Sequence, residues 1–426
     1  MRALALVWVL FGAIISYVFG RFLGKGPTPE ARERLLGDVM RRACERLGAT
    51  FVKLGQILAT RPDIVPVGVT ISLARLQDDV ATAPFSEVIA ILASELGANR
   101  SRIVTIDPTP VAAASVAQVH RGVLDSGHEV AIKVQRRAAE MQIERDLILM
   151  RLFAVMLSWL PRMKYLSIPE AFDRFAAALR AQLDFVTEAN NNRKLARNFA
   201  SSERVRLPTL EDALCTKRVL VMEFVHGVKP TEVELDREEL AKAGFSCIAQ
   251  MVFLDGFVHA DMHPGNLLLT RDGHLYLIDL GLVAEIPEEL RRPWVLAFVA
   301  VATCNGREAA RLFYEHAPTI GRTNYVAFED DIVAHLDQFS GKPISELEVT
   351  EAVGGAMAIL RRHEVQVDPS FTVVNLAMLV AEGVGKQLDP HFDVYGCVTP
   401  YLTEAAMRYV DGKAPLRTHP PRAVAS

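Results

Sequence analysis

Two short apolar runs, NLLLT (266–270) and HLYLID (274–279), stand three residues apart with Arg271, Asp272 and Gly273 between them. An Asp-Gly pair in that position signals a β-hairpin, and a hairpin returns its two ends to one place. Whatever else the chain folds into, the polar residues at those ends are held near one another: Asp261 and Asn266 before the first strand, Asp279 after the second. Two carboxylates and an amide are hard oxygen donors. Such donors suit Mg2+, which binds through one or two carboxylates together with substrate phosphates. An acid beside such a pair can instead orient an attacking hydroxyl. Ordinary turn chemistry accounts for one acid in a turn, but not for these three identities together.

The chain has 426 residues, enough for two or three packed units. Half of the residues are hydrophobic (50%) and 23% are charged, which reads as globular rather than disordered. A net charge of -4 gives no reason to expect a nucleic-acid surface. The five cysteines, Cys44, Cys215, Cys247, Cys304 and Cys397, form no C-x-x-C pair, so reduced structural thiols are expected rather than disulfides or zinc.

The N-terminus departs from this pattern. ALALVWVLFGAIISYVFG (3–20) carries no charge and is bounded by Arg2 and Arg21. At about 1.5 Å per residue it spans roughly 27 Å, close to the hydrocarbon thickness of a bilayer. No A-x-A-like cleavage site follows, which disfavours a signal peptide. Arg21, Lys25, Arg32 and Arg34 outweigh Arg2 and place the body on the cytoplasmic side. The expectation is a single N-terminal transmembrane helix in the inner (cytoplasmic) membrane.

Beyond it, Thr28, Pro29 and Glu30 read as the capped start of a helix that Gly48 ends. A second helix runs through TFVKLGQILATR to Pro62, with Phe51, Leu54 and Leu58 on one face and Lys53 and Gln56 on another. From about residue 103 the segments RIVTIDP, SVAQVHRGVL and HEVAIKVQ read as strands, followed by helical stretches near 138–160 and 169–200. RVLVMEFVHG is again strand-like. The remainder is mostly helical apart from the hairpin, and PLRTHPPRAVAS reads as a disordered tail.

Lys133 interrupts an apolar strand. Strand alternation allows it either the solvent face or a buried place beside a partner. Asp184 and Glu188 lie four apart in a predicted helix, hence on one face, where they can meet a lysine from the sheet. The order of Lys in VAIK, Glu on a following helix, D-x-x-x-x-N and D-x-G resembles the protein-kinase signature set. No G-x-G-x-x-G precedes the lysine. PVAAASVAQVH (110–120) stands there, and alanine does not let backbone approach phosphates as glycine does. With KLGQ (53–56), VAIKVQ, the Asp184/Glu188 helix and DMHPGN, the chain resembles the UbiB/AarF/ABC1 family of atypical kinases over roughly residues 30–400.

The resemblance implies an α+β, bilobal protein-kinase-like fold with a helical N-terminal extension. The expected divisions are 1–25 (anchor), 26–102 (extension with KxGQ), 103–222 (N-lobe), 223–412 (C-lobe) and 413–426 (tail). It implies an ATP site in which Ala112, Ala113, Ala114, Ser115 and Val116 form the nucleotide loop and Lys133 pairs with Glu188. Backbone at Glu223 to Val225 would face adenine. Asp261 would be the catalytic-loop acid, Asn266 and Asp279 the Mg2+ ligands, and Lys53 and Gln56 would line the pocket. The family's E-x-D is QLD here, with Gln182 in place of Glu. Leu280 takes the Phe position of D-F-G. The implied activity is atypical kinase or ATPase, supporting ubiquinone or other prenyl-lipid biosynthesis. The alternatives are a pseudokinase whose nucleotide state controls partner binding and a small-molecule kinase of the aminoglycoside/choline type, against which KLGQ and the alanine loop argue.

Overall fold

The computed structural model describes residues 2–410 and 422–423, leaving aside 25–26, 60–65, 74, 77–81, 114–115, 159–171, 174–175, 178, 181–182, 233–236, 261, 263, 322, 341–348, 369–377, 379–384 and 386–392. Two units separate by their internal packing: Met1–Lys194 with Pro208–Val225, and Leu195–Leu207 with His226–Ser426.

The first unit opens with helices α1 (Arg2–Phe22), α2 (Pro29–Leu47), α3 (Ala49–Ala59), α4 (Val67–Leu73) and α5 (Phe85–Leu96). The Thr28 side chain caps α2 by accepting the Ala31 N–H, with Pro29 in the first turn as its fixed φ favours. Gly48, at φ 87°, ends that helix and turns the chain into α3. Cys44, Leu47, Phe51, Val52, Val69 and Leu73 close a small core among these helices.

Helix α1 corrects the expectation of a membrane anchor. Leu6 and Val9 pack against the α2–α4 core, and Gly20 is buried beside Leu35. Its first residue is tied inward. Arg2 Nε and Nη2 donate to the two carboxylate oxygens of Asp146 at 2.8 and 2.6 Å, and Nη2 also reaches Leu47 O at 2.6 Å. Thr50 Oγ1 donates to the same carboxylate at 2.7 Å, and Asp146 is fully buried. An apolar run read along the sequence cannot distinguish a helix meant for lipid from one that lays a face on its neighbours. Among the described residues no helix is long and apolar enough to cross a membrane. Inner-membrane localisation through a single N-terminal helix is therefore not supported.

The sheet of this unit is antiparallel, in the order β1 (Ile103–Ile106), β3 (Ala117–Leu124), β4 (Glu129–Gln135), β6 (Val219–Glu223), with β2 (Ala112–Ala113) also on β3. Side chains alternate across it. Val130, Ile132 and Val134 face Val88, Ile91 and Leu92 of α5. Ala131 faces the other way, among Ile143 and Leu147 of α6 (Arg137–Ser158) and Phe185 and Ala189 of α7 (Phe185–Asn198).

The second unit contains α8 (Arg237–Ala249), which runs on into a π-helical turn, Gln250–Asp255. Two small strand groups follow. β8 (Phe257–His259) pairs antiparallel with β11 (Val283–Glu285), a pairing the sequence did not announce. The hairpin stands as expected: β9 (Leu267–Thr270) pairs with β10 (Leu275–Leu277) and Gly273 takes φ 84° in the turn. β5 (Val205–Arg206) and β7 (Gly227–Val228) extend it on either side. The core is largely helical, with Phe253, Trp294 and Phe298 stacked edge to face at 5.1 and 5.4 Å.

Candidate functional site

Strand alternation decides the place of Lys133. It shares the face of Ala131, not the face of Val134, and so points toward α7. There Nζ donates to both carboxylate oxygens of Glu188, at 2.7 and 2.9 Å. The two side chains are 11% and 5% exposed. Nζ also lies 5.3 Å from the Phe185 ring centroid, within cation–π range. A pair this dry gains little net stability over two apolar residues, because desolvation offsets most of the attraction.

Asp184 does something different from the expectation. It precedes α7, and its Oδ1 accepts the Val186 N–H at 2.9 Å. Short acidic side chains at that position satisfy an orphan donor of the first turn, which is a stronger local demand than reaching across to the sheet. Asp184 thus caps the helix whose first turn presents Glu188. Gln182 lies outside the described residues.

The alanine-rich segment forms the mouth of a hairpin. Ala112 pairs with Val119 and Ala113 with Gln118, while Val111 N–H donates to Val119 O at 2.8 Å. Val116 is buried, and its carbonyl accepts the Arg136 N–H at 2.8 Å. Both stems are pinned without a glycine; Ala114 and Ser115 lie outside the described residues. Glu223 closes β6, its N–H donating to Thr209 O at 2.8 Å and its Oε2 accepting the Thr209 N–H at 3.2 Å. Val225, half-buried, is the last residue of the first unit. Lys53 and Gln56 are half-buried on α3.

In the second unit the hairpin brings Asn266 and Asp279 to its root. Leu267 pairs with Leu277, and the Ile278 N–H donates to Asn266 O at 3.1 Å, one step beyond the strands. Asn266 is buried, and Asp279 Oδ1 accepts the Gly281 N–H at 3.1 Å. That bond fixes the acid in its turn. Leu280 is 2% exposed in the core of this unit. Asp261 and His263 lie outside the described residues. His259 is fully buried in β8. Asp255, at the end of the π-helical turn, has its carboxyl pushed up to about 6 by burial.

Sequence reading overlooked buried polar residues of the first unit, among them Gln118, His120 and Asp146. Gln118 and His120 sit within β3, and Asp146 within α6. The available signal was alternation: in SVAQVHRGVL the two polar residues fall on one face, with Gly122.

A model of the ABC1 atypical kinase-like domain matches residues 75–313. The chain belongs to the ABC1 atypical kinase-like family. A model of the UbiB helical domain matches residues 332–393. The chain is 33% identical over 389 residues to the probable protein kinase UbiB of Histophilus somni (strain 129Pt), covering 87% of this chain and 71% of that protein. Among solved structures it resembles Rv3197 of Mycobacterium tuberculosis, described in complex with erythromycin. The TM-score is 0.50 at 21% identity, over 85% of this chain and 99% of that one, which shows the fold alone. That fold is the α+β kinase-like one. The Rio2 kinase of Chaetomium thermophilum also matches, at a TM-score of 0.31 and 12% identity over 85% of this chain and 98% of that one, too low to carry an argument.

Proposed function

We propose that this ABC1-family chain binds Mg-ATP and acts as an atypical kinase or ATPase. The observation that carries the reading is the buried Lys133–Glu188 pair, held by both carboxylate oxygens and in register, across Val119 of β3, with Ala112 of the alanine-rich hairpin. Lys133 would hold the α- and β-phosphates, with Glu188 keeping its ammonium charged and aimed. Ala112 to Val116 would close over the phosphates, and backbone from Glu223 to Val225 would meet the base. Lys53 and Gln56 of the extension would line the pocket.

The hairpin root fits a hard cation: one buried amide oxygen and one carboxylate, no sulfur or imidazole required. Asn266 and Asp279 would hold Mg2+, which when bound neutralises phosphate charge. Asp261 would orient the attacking hydroxyl or water. The divisions 26–102, 103–222 and 223–412 complete the reading as extension, N-lobe and C-lobe. From the family, and from a relative named UbiB, the process served would be ubiquinone or other prenyl-lipid biosynthesis. A second reading is favoured by the absence of glycine from the loop: a pseudokinase that binds nucleotide and switches partner binding without phosphotransfer.

The test is phosphate release by the full chain with ATP and Mg2+, compared with Asp279→Asn. Release that the substitution abolishes supports the enzyme. Equal background release from both, with ATP binding lost in Lys133→Ala, supports the pseudokinase. No ATP binding by the wild type overturns both.

A further inference from the structure

Gln118 and His120 are 1% and 0% exposed in the middle of β3. Val119, between them, is the cross-strand partner of Lys133, so Gln118 and His120 point to the opposite face of the sheet. They form one directed chain of hydrogen bonds. The Asp107 carbonyl can only accept, so His120 Nδ1 donates to it at 2.8 Å. His120 Nε2 is then an acceptor, and Gln118 Nε2 donates to it at 2.9 Å. Gln118 Oε1 accepts the Ala83 N–H at 2.9 Å, and Gln118 Nε2 lies 3.4 Å from the Ala83 carbonyl. Phe85 closes the histidine off, with ring centroids 5.6 Å apart. Every group has its one permitted role, and the orientation of the amide follows from its neighbours.

Ala83 lies in the stretch that leads into α5, within the part of the chain (26–102) read as the extension. Gln118 is also the backbone partner of Ala113 in the alanine-rich hairpin and of Val134 in β4. One residue therefore grips the extension with its side chain and the loop with its backbone. If the segment at Ala83 moves away, the buried Oε1 of Gln118 loses the N–H that it accepts and Nε2 keeps only His120, so strand and segment favour moving together.

We infer that Gln118 is a positioning residue that couples the N-terminal extension to the alanine-rich loop, so that affinity for nucleotide depends on where residues 82–84 sit. The inference rests on the reading of Ala112 to Val116 as the nucleotide loop. The contact acts through the loop and touches no substrate.

The experiment uses the full chain and two substitutions that cut the relay from opposite ends. Gln118→Leu keeps the bulk and removes every bond. Ala83→Pro deletes a single N–H outside the sheet and leaves the side chains of β3 intact. Hydrogen exchange is followed at Val111, whose N–H donates to Val119 O, and ATP affinity by titration. Either substitution is expected to speed exchange at Val111 and to weaken ATP binding by about tenfold. The KM for ATP should rise with kcat little changed, and the double variant should be no worse than the weaker single one. Unchanged exchange at Val111 in both variants, or losses that simply add, overturns the coupling. Should Gln118→Leu fail to fold, Ala83→Pro gives the same readings. Should the wild type bind no ATP, the nucleotide reading fails, and exchange at Val111 still decides the coupling.

Discussion

Replacing Lys133 by Met leaves the Glu188 carboxylate in a place where its side chain is only 5% exposed. Breaking a buried pair by removing one partner costs about 3–5 kcal/mol, because the remaining charge stays desolvated after the loss of its ammonium. For a unit of this size each kcal/mol shifts the melting midpoint by roughly 2–4 °C, so the first unit should melt about 6–20 °C earlier. Without the ammonium beside it, the desolvated Glu188 carboxyl will favour its protonated form, so the variant should regain stability as pH falls, the sign expected for an acid whose folded pKa is raised. Removing both charges with Lys133→Met and Glu188→Leu should restore most of the loss, since apolar residues of similar volume are tolerated in such sites. The assay is urea unfolding followed by hydrogen exchange at the β4 amides of Ile132 and Val134, which report on this unit alone. A cost below about 1 kcal/mol for Lys133→Met, or a double variant as damaged as the two single ones added together, would refute the description of the pair as desolvated and mutually dependent.

Arg2→Met takes the guanidinium from the fully buried Asp146, leaving the Thr50 hydroxyl, and should release α1 to proteases at a cost of about 1–3 kcal/mol, read by limited proteolysis; an undigested α1 refutes the latch. Gly256 holds φ 60°, and a Cβ there would lie 2.3 Å from Arg291 Nε, which bonds Ile286 O. Gly256→Ala should cost the second unit about 2–3 kcal/mol in denaturant unfolding. Asp255 contributes stability that is present below about pH 4 and lost as pH rises through about 6, because burial favours its neutral form. Asp255→Asn should flatten that slope and stabilise the second unit at pH 8 by about 1–2 kcal/mol after allowance for its partial exposure, measured by pH-dependent thermal melts. Asp184→Ala removes the cap of α7 and should cost about 1 kcal/mol without breaking the Lys133–Glu188 pair.

Local rules were legible in the sequence wherever the physics is local. Thr28 capping, the Gly48 stop, the Asp272-Gly273 hairpin and the alternation of VAIKV each depend on a few neighbouring residues, and the structure agrees at each. The motifs resembling an atypical kinase were equally plain, because the order of residues along the chain carries them. What needed the tertiary structure was the destination of each face. An uncharged run of apolar residues met the length of a bilayer, yet Arg2, Leu6, Val9 and Gly20 place it against helices of its own unit. Asp184 and Glu188 share helical spacing, yet only Glu188 reaches the lysine, since the helix starts one residue after Asp184. The relay through Gln118 and His120 joins residues separated by up to 35 positions in the chain. No periodicity records such a contact, because it arises from packing two distant segments on one face of a sheet. Sequence determined which groups the chain carries and on which side of each element they lie. Packing decided which of them meet.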